Sequence, residues 1–144
     1  MGSIDLNNLN SFILFNHFGL AVKNFDKPRV FYKNLGYECT KPVVDSRQNV
    51  ELVLCTSEKY PTVELVKPIN NQSPVNNYLK KSSEIIYHTC YEIDDINNDL
   101  KYIFSGNRAL YVCGPDPTTI LFKRKLASFY HVENVGLIEI LHDY

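Results

Sequence analysis

No apolar stretch in the 144 residues approaches the roughly 20 needed to span a bilayer. Phe12 to Phe15 is a short apolar run that Asn16 and His17 end. No basic segment precedes it, so no export signal is read there and a cytoplasmic location is the expectation. An excess of one charge is also missing. The 15 Lys+Arg residues stand against 16 Asp+Glu, a net charge of -1, and the basic residues form no long run. Neither nucleic acid nor an anionic membrane surface is therefore expected as a partner. The cysteines (Cys39, Cys55, Cys90, Cys113) include no C-x-x-C pair and read as reduced, mostly buried thiols. What remains is ordinary globular composition, 44% hydrophobic and 22% charged. A chain of this length makes about one domain, 1–144, and buries about 70% of its unfolded surface.

The main organisational signal is an internal repeat. His17-Phe-Gly-Leu-Ala-Val22 has the polar/apolar rhythm of His88-Thr-Cys-Tyr-Glu-Ile93, and each precedes an acidic or amide-rich helix start. The first helix is expected over Lys27 to Leu35, with Asp26 as N-cap, Pro28 in the first turn and Gly36 just past the end. The second is expected over Ile96 to Phe104, stopping near Gly106. Three extended stretches follow each helix: Tyr37 to Val44, Asn49 to Cys55 and Pro61 to Lys67, then Arg108 to Cys113, Thr119 to Tyr130 (with room for a break) and Val135 to Leu141. Ser73-Pro74 with Val75, Tyr78 and Leu79 reads as a short capped linker helix. The expected fold is α+β: a βαβββ module over about 12–68, a helical linker over 69–84 and a second βαβββ module over 85–144. Met1 to Asn10 carries no readable role.

Four residues are polar inside apolar strands: His17, His88, Glu64 in Thr62-Val-Glu-Leu-Val66, and Glu139 in Leu137-Ile-Glu-Ile-Leu141. A carboxylate buried without a partner costs several kcal/mol, and one stands in the last strand of each half. No Arg or Lys occurs in these strands at the spacing that would neutralise them. A divalent cation is the natural alternative, since two imidazoles and two carboxylates suit Zn, Mn, Co, Ni or Fe. Pseudo-two-fold pairing of the halves would bring both His/Glu pairs around one ion. Glu51, in Val50-Glu-Leu-Val-Leu54, is a further candidate. If Val50, Leu52 and Leu54 pack between sheet and helix, Glu51 points into the concavity, where it could act as a general base. His131 and His142 are weaker candidates, and His142, near the terminus, is expected to be solvated.

These residues resemble the vicinal oxygen chelate superfamily, which includes glyoxalase I, extradiol dioxygenases, fosfomycin-resistance enzymes and bleomycin-binding proteins. Within it the chain is most similar to the methylmalonyl-CoA epimerases. The resemblance rests on the ordered series His17-Phe-Gly-Leu-Ala-Val22, Val63-Glu-Leu-Val-Lys-Pro68, Asn71-Gln-Ser-Pro-Val75, His88-Thr-Cys-Tyr-Glu-Ile-Asp-Asp-Ile96 and Gly136-Leu-Ile-Glu-Ile140. It implies paired βαβββ modules forming a cupped mixed sheet around one divalent metal (Co, Mn, Ni, Zn or Fe) held by His17, Glu64, His88 and Glu139. It implies proton abstraction α to the carbonyl of an acyl thioester, on CoA or a carrier protein, by a homodimer. Glu51 would act on one face of the α-carbon and Glu139 on the other. The chain departs from the epimerases at Tyr87, where they often carry histidine, and in Cys113–Thr119 and His131–Gly136, which border the substrate mouth. Two alternatives share the fold: a glyoxalase I-like lactoylglutathione lyase, and a metal-free small-molecule-binding protein of the drug-sequestering kind.

Overall fold

The computed structural model describes residues 13–144, so Met1 to Asn10 and the start of the apolar run at Phe12 lie outside the described residues. Nine strands and two α-helices follow in the order β1 Leu14–Val22, α1 Asp26–Asn34, β2 Glu38–Cys39, β3 Val43–Asp45, β4 Val50–Thr56, β5 Val63–Pro68, β6 Glu84–Glu92, α2 Ile96–Phe104, β7 Ala109–Pro117, β8 Leu126–Val132 and β9 Gly136–His142. All strands join one mixed, open and cupped sheet in the order β2-β4-β5-β1-β6-β9-β8-β7, with β3 paired to β4. Each half repeats one scheme: β1 runs parallel to β5, and β6 runs parallel to β9. The halves join where β1 and β6 pair antiparallel. Among the described residues no helix is long and apolar enough to cross a membrane.

The helices cover one face of the sheet. Phe25 and Tyr32, at the start and end of α1, pack with Val22, Val53, Cys55, Val63 and Leu65. Ile96, Leu100, Ile103 and Phe104 of α2 pack on Ile138 and Ile140 of β9. Strand alternation sends the intervening residues to the opposite, concave face. There Ala21, Val50, Leu52, Val66, Cys90, Ala127 and Leu141 form the third cluster, closed by Val75, Leu79 and Phe122.

The local signals translate into structure unevenly. The second helix spans its expected residues, and the Asp95 side chain caps it by accepting from the Asn98 amide at 3.2 Å. The first helix begins one residue early, and the Asp26 cap is not formed. Phe25 occupies the N-cap position in helical conformation, and no side chain bonds the free amides. Phe25 is instead buried against β1, β4 and β5, and that burial sets the entry angle. Gly36 does end α1, with φ +100, while the Tyr37 amide reaches back to the Tyr32 carbonyl at 3.0 Å. The expected strand Tyr37 to Val44 is broken into β2 and β3 around Pro42, which cannot donate to a ladder. Thr119 to Tyr130 is likewise broken by a 3-10 turn at Ile120–Phe122. The linker helix is a single 3-10 turn, Pro74–Asn77, and Ser73 makes no capping bond.

Candidate metal centre

Register brings the four predicted ligands together. Gly19 of β1 lies opposite both Glu64 of β5 and His88 of β6, while Cys90 of β6 lies opposite both Glu139 of β9 and His17 of β1. The position two residues after each histidine therefore adjoins its own half's glutamate and the other half's histidine. His17, Glu64, His88 and Glu139 are 0%, 4%, 3% and 4% exposed, and one donor atom from each lies within 4.8 Å of all the others.

The separations match a shared ion. Nε2 of His17 stands 3.1 Å from Nε2 of His88, 3.6 Å from Oε1 of Glu64 and 3.1 Å from Oε1 of Glu139. Nε2 of His88 is 3.5 Å from Glu64 and 3.3 Å from Glu139. Two donors each about 2.1 Å from one centre lie about 3.0 Å apart at a right angle and about 3.4 Å at the tetrahedral angle. Oε1 of Glu139 is buried and accepts no hydrogen bond, an orphaned acceptor of the kind a cation satisfies. The donor set therefore fits a divalent metal.

Each histidine is preceded by a bulge. The β1–β6 register slips between Phe15 and His17, leaving Asn16 as the extra residue, and again between Gly19 and Leu20, leaving Tyr87. Asn16 uses its place to accept a hydrogen bond from Nδ1 of His17 at 2.7 Å, which leaves the Nε2 lone pair facing the other ligands. Tyr87 packs edge-on against the His88 ring at 4.5 Å. Burial, with the charges of Glu64 and Glu139, pushes the Tyr87 phenol well up and keeps it protonated. Phe122 covers His17 at 5.0 Å and Phe129 abuts His88 at 5.6 Å. Gly19 is needed because the His88 ring crosses the β1 backbone: a Cβ there would collide with Cε1 of that ring.

Without an ion, a proton serves in its place. Burial alone would lower the pKa of His17, but the carboxylates of Glu64 and Glu139 reverse this and push it up to about 10. Burial opposes ionisation of Glu139, yet the imidazoles of His17 and His88 that face it hold its carboxyl well below the usual range. Burial and the adjacent Glu139 push the Cys90 thiol well up, so it stands among the ligands as a neutral group.

Glu51 is not part of this constellation. It pairs across the sheet with Lys67 and ion-pairs with it at 3.4 Å, while Glu64 is opposite Leu54, on the other face. Lys67 in turn lies over the Phe25 ring, on the α1 side. The expectation for Glu51 inverted the sheet: Val50, Leu52 and Leu54 line the cup, and Glu51 points away from it. His142 is buried rather than solvated, its Nδ1 donating to the Asp143 carbonyl at 2.8 Å. His131 is exposed at the cup mouth, where it helps line a cavity of about 460 Å³ with Arg47, Tyr78, Tyr87, Phe129 and Leu137. Asn16, Phe122 and Phe129 escaped sequence reasoning. Only the position of Asn16, before the first histidine as Tyr87 is before the second, could have signalled it.

Two outcomes follow for metal binding. Elemental analysis of purified protein should find about one divalent ion per chain, reduced to trace amounts in Glu64→Ala and His88→Ala. Gly19→Ala should lose metal although it changes no ligand, because the His88 ring must move; full loading of all three variants would refute the site. Below pH 10 the ion must also displace the His17 proton. Affinity should therefore rise by about tenfold per pH unit between pH 7 and 9, with close to one proton released at pH 8 in calorimetry across buffers of different ionisation enthalpy. Buffer-independent heats would contradict a proton held there.

Comparison with known proteins agrees with this geometry. Residues 16–107 match the model of the Glyoxalase/Bleomycin resistance protein/Dioxygenase superfamily. The chain is 34% identical over 94 residues to the mitochondrial methylmalonyl-CoA epimerase of Dictyostelium discoideum, a match covering 64% of this chain and 56% of that protein. It is 37% identical over 84 residues to the mitochondrial methylmalonyl-CoA epimerase of Bos taurus, covering 57% and 47%. The chain thus spans about half the length of the curated relatives it matches. In fold it resembles a variant of the Streptomyces coelicolor methylmalonyl-CoA epimerase in complex with 2-nitronate-propionyl-CoA, with a TM-score of 0.72 at 23% identity over 92% of this chain and 96% of that one. With the repeat, the cupped sheet and the family match in agreement, the chain belongs to the glyoxalase/bleomycin resistance/dioxygenase superfamily, the vicinal oxygen chelate proteins.

Proposed function

We propose that the chain is a metal-dependent isomerase of the epimerase type, moving a proton on the carbon α to the carbonyl of an acyl thioester. The observation that carries this reading is the buried quartet of two imidazoles and two carboxylates at separations suited to one ion. The names of the curated relatives, and the acyl-CoA analogue held by the Streptomyces coelicolor enzyme, support CoA as the thioester carrier.

In this reading His17, Glu64, His88 and Glu139 hold one divalent ion drawn from Co, Mn, Ni, Zn or Fe. Such an ion supplies Lewis acidity, lowering the cost of negative charge on a carbonyl oxygen. The acyl group occupies the cavity beside the quartet, whose volume of about 460 Å³ suits a small ligand. Phe129 and Tyr87 stand between that cavity and the ligands and limit access of water. With Glu51 on the far face, His131 takes the part of the base. It is paired with Leu137, and Phe129 with Glu139, so His131 lies on the ligand face about 7 Å along the strand from Phe129. Glu139 remains the candidate for the opposite face of the α-carbon.

The glyoxalase-like lyase would use the same quartet, and the displacement of Glu51 removes the residue that set the two apart in sequence. Proton exchange distinguishes them. Metal-loaded protein incubated with methylmalonyl-CoA in deuterated water should incorporate one deuterium at the α-carbon. Glu51→Gln should keep the rate within about twofold, whereas His131→Gln should lower it by roughly 10²–10⁴. Exchange abolished by Glu51→Gln would overturn the assignment of the base. Conversion of a methylglyoxal–glutathione adduct without any thioester exchange would make the protein a lyase.

A further inference from the structure

The sheet face turned away from the quartet carries a second site. Cys39 of β2 and Cys55 of β4 are directly opposed, with their Sγ atoms 2.9 Å apart. Both belong to the cluster under α1, with Tyr37, Val53 and Leu65, whereas Glu64 faces the other way. The next pair along, Thr40 and Leu54, is bridged by the Thr40 amide donating to the Leu54 carbonyl at 3.0 Å. Cys39 and Cys55 therefore form a non-hydrogen-bonded pair, the antiparallel position whose Cα atoms lie closest, about 4.5 Å apart. That spacing is within the range a disulfide spans without backbone movement. Strand β2 is only two residues long and forms the edge of the sheet, so it can adjust to its partner.

We propose that Cys39 and Cys55 are a modification site: on exposure to hydrogen peroxide they close a cross-strand disulfide, which a dithiol reductant reopens. Cys39 is half-buried and Cys55 is buried, so peroxide reaches Cys39 first. Burial also pushes the Cys55 thiol up, with the Cys39 contact adding to the effect, so Cys55 stays protonated and is not the sulfur oxidised first. Sγ of Cys39 takes one hydroxyl from the peroxide, the O–O bond breaks, and the thiol proton leaves with the other oxygen as water. Sγ of Cys55 then gives up its proton and bonds to Sγ of Cys39, and the hydroxyl is expelled with that proton as a second water. Each sulfur loses one electron, and the two peroxide oxygens gain both. The bond ties β2 to β4 and closes a loop between residues 16 apart in the chain.

The test uses the whole, metal-loaded chain treated with peroxide, then alkylated under denaturing conditions and digested with trypsin. The expected product is a peptide linking residues 34–47 to 48–59, with an intact mass lower by the two hydrogens lost. Dithiothreitol should reverse both. The thermal midpoint should rise by roughly 5–10 °C in the oxidised chain and not at all in peroxide-treated Cys55→Ser. Metal content should be unchanged, because the pair lies on the opposite face from the ligands. Sulfinic acid at Cys39 beside a freely alkylated Cys55, linkage through Cys90 or Cys113, or two unreacted thiols would each overturn the proposal.

Discussion

Two carboxylates buried side by side are the constraint around which this fold is arranged. Glu64 and Glu139 are each 4% exposed and share one small volume with two imidazole nitrogens. Burying one unpaired carboxylate costs several kcal/mol, and burying two adds their mutual repulsion. No lysine or arginine reaches them; among the described residues their ion-pair contacts are with His17 and His88 alone. A proton on His17 partly compensates, but it carries one charge against two. A divalent ion would supply the full neutralising charge and would use the lone pair that the Asn16 contact leaves on Nε2.

The duplicated βαβββ plan supplies this arrangement twice, with small asymmetries. Position two after the histidine is Gly19 in one half and Cys90 in the other. The glycine lets the His88 ring cross the strand, and the cysteine fills the equivalent space beside His17. The bulge residues differ too: Asn16 fixes a tautomer, whereas Tyr87 closes one side of the cup and meets Tyr78 at 5.0 Å. On the first half's side Phe122 lines a cavity of about 270 Å³ with Asn16 and Leu54, and on the second Phe129 lines the cavity with His131. A pseudo-symmetric scaffold thus presents two unlike flanks beside the quartet.

Much of this was legible in the sequence because the repeat writes the same chemistry twice. His17 and His88, Glu64 and Glu139 declare themselves as polar residues at equivalent places in apolar strands, and register then converges them. The second helix could be read to the residue because Asp95 caps it. The first could not, because tertiary burial of Phe25 overrides the Asp26 signal. Glu51 shows the limit more sharply. Alternation correctly placed it on the face opposite Val50, Leu52 and Leu54, but both faces of β4 are apolar, one against α1 and one against the cup. Periodicity separates the two faces of a strand and cannot say which of two buried faces is concave. The bulges at Asn16 and Tyr87 leave no compositional trace at all.

X-ray absorption at the metal edge of the loaded protein reads the shell around an ion held by these four side chains. One ion bound by His17, Glu64, His88 and Glu139 should show a first shell of nitrogen and oxygen near 2.0–2.2 Å, with the outer-shell scattering of two imidazole rings and no sulfur. A shell lacking imidazole scattering, or one containing sulfur near 2.3 Å from Cys90, would contradict it.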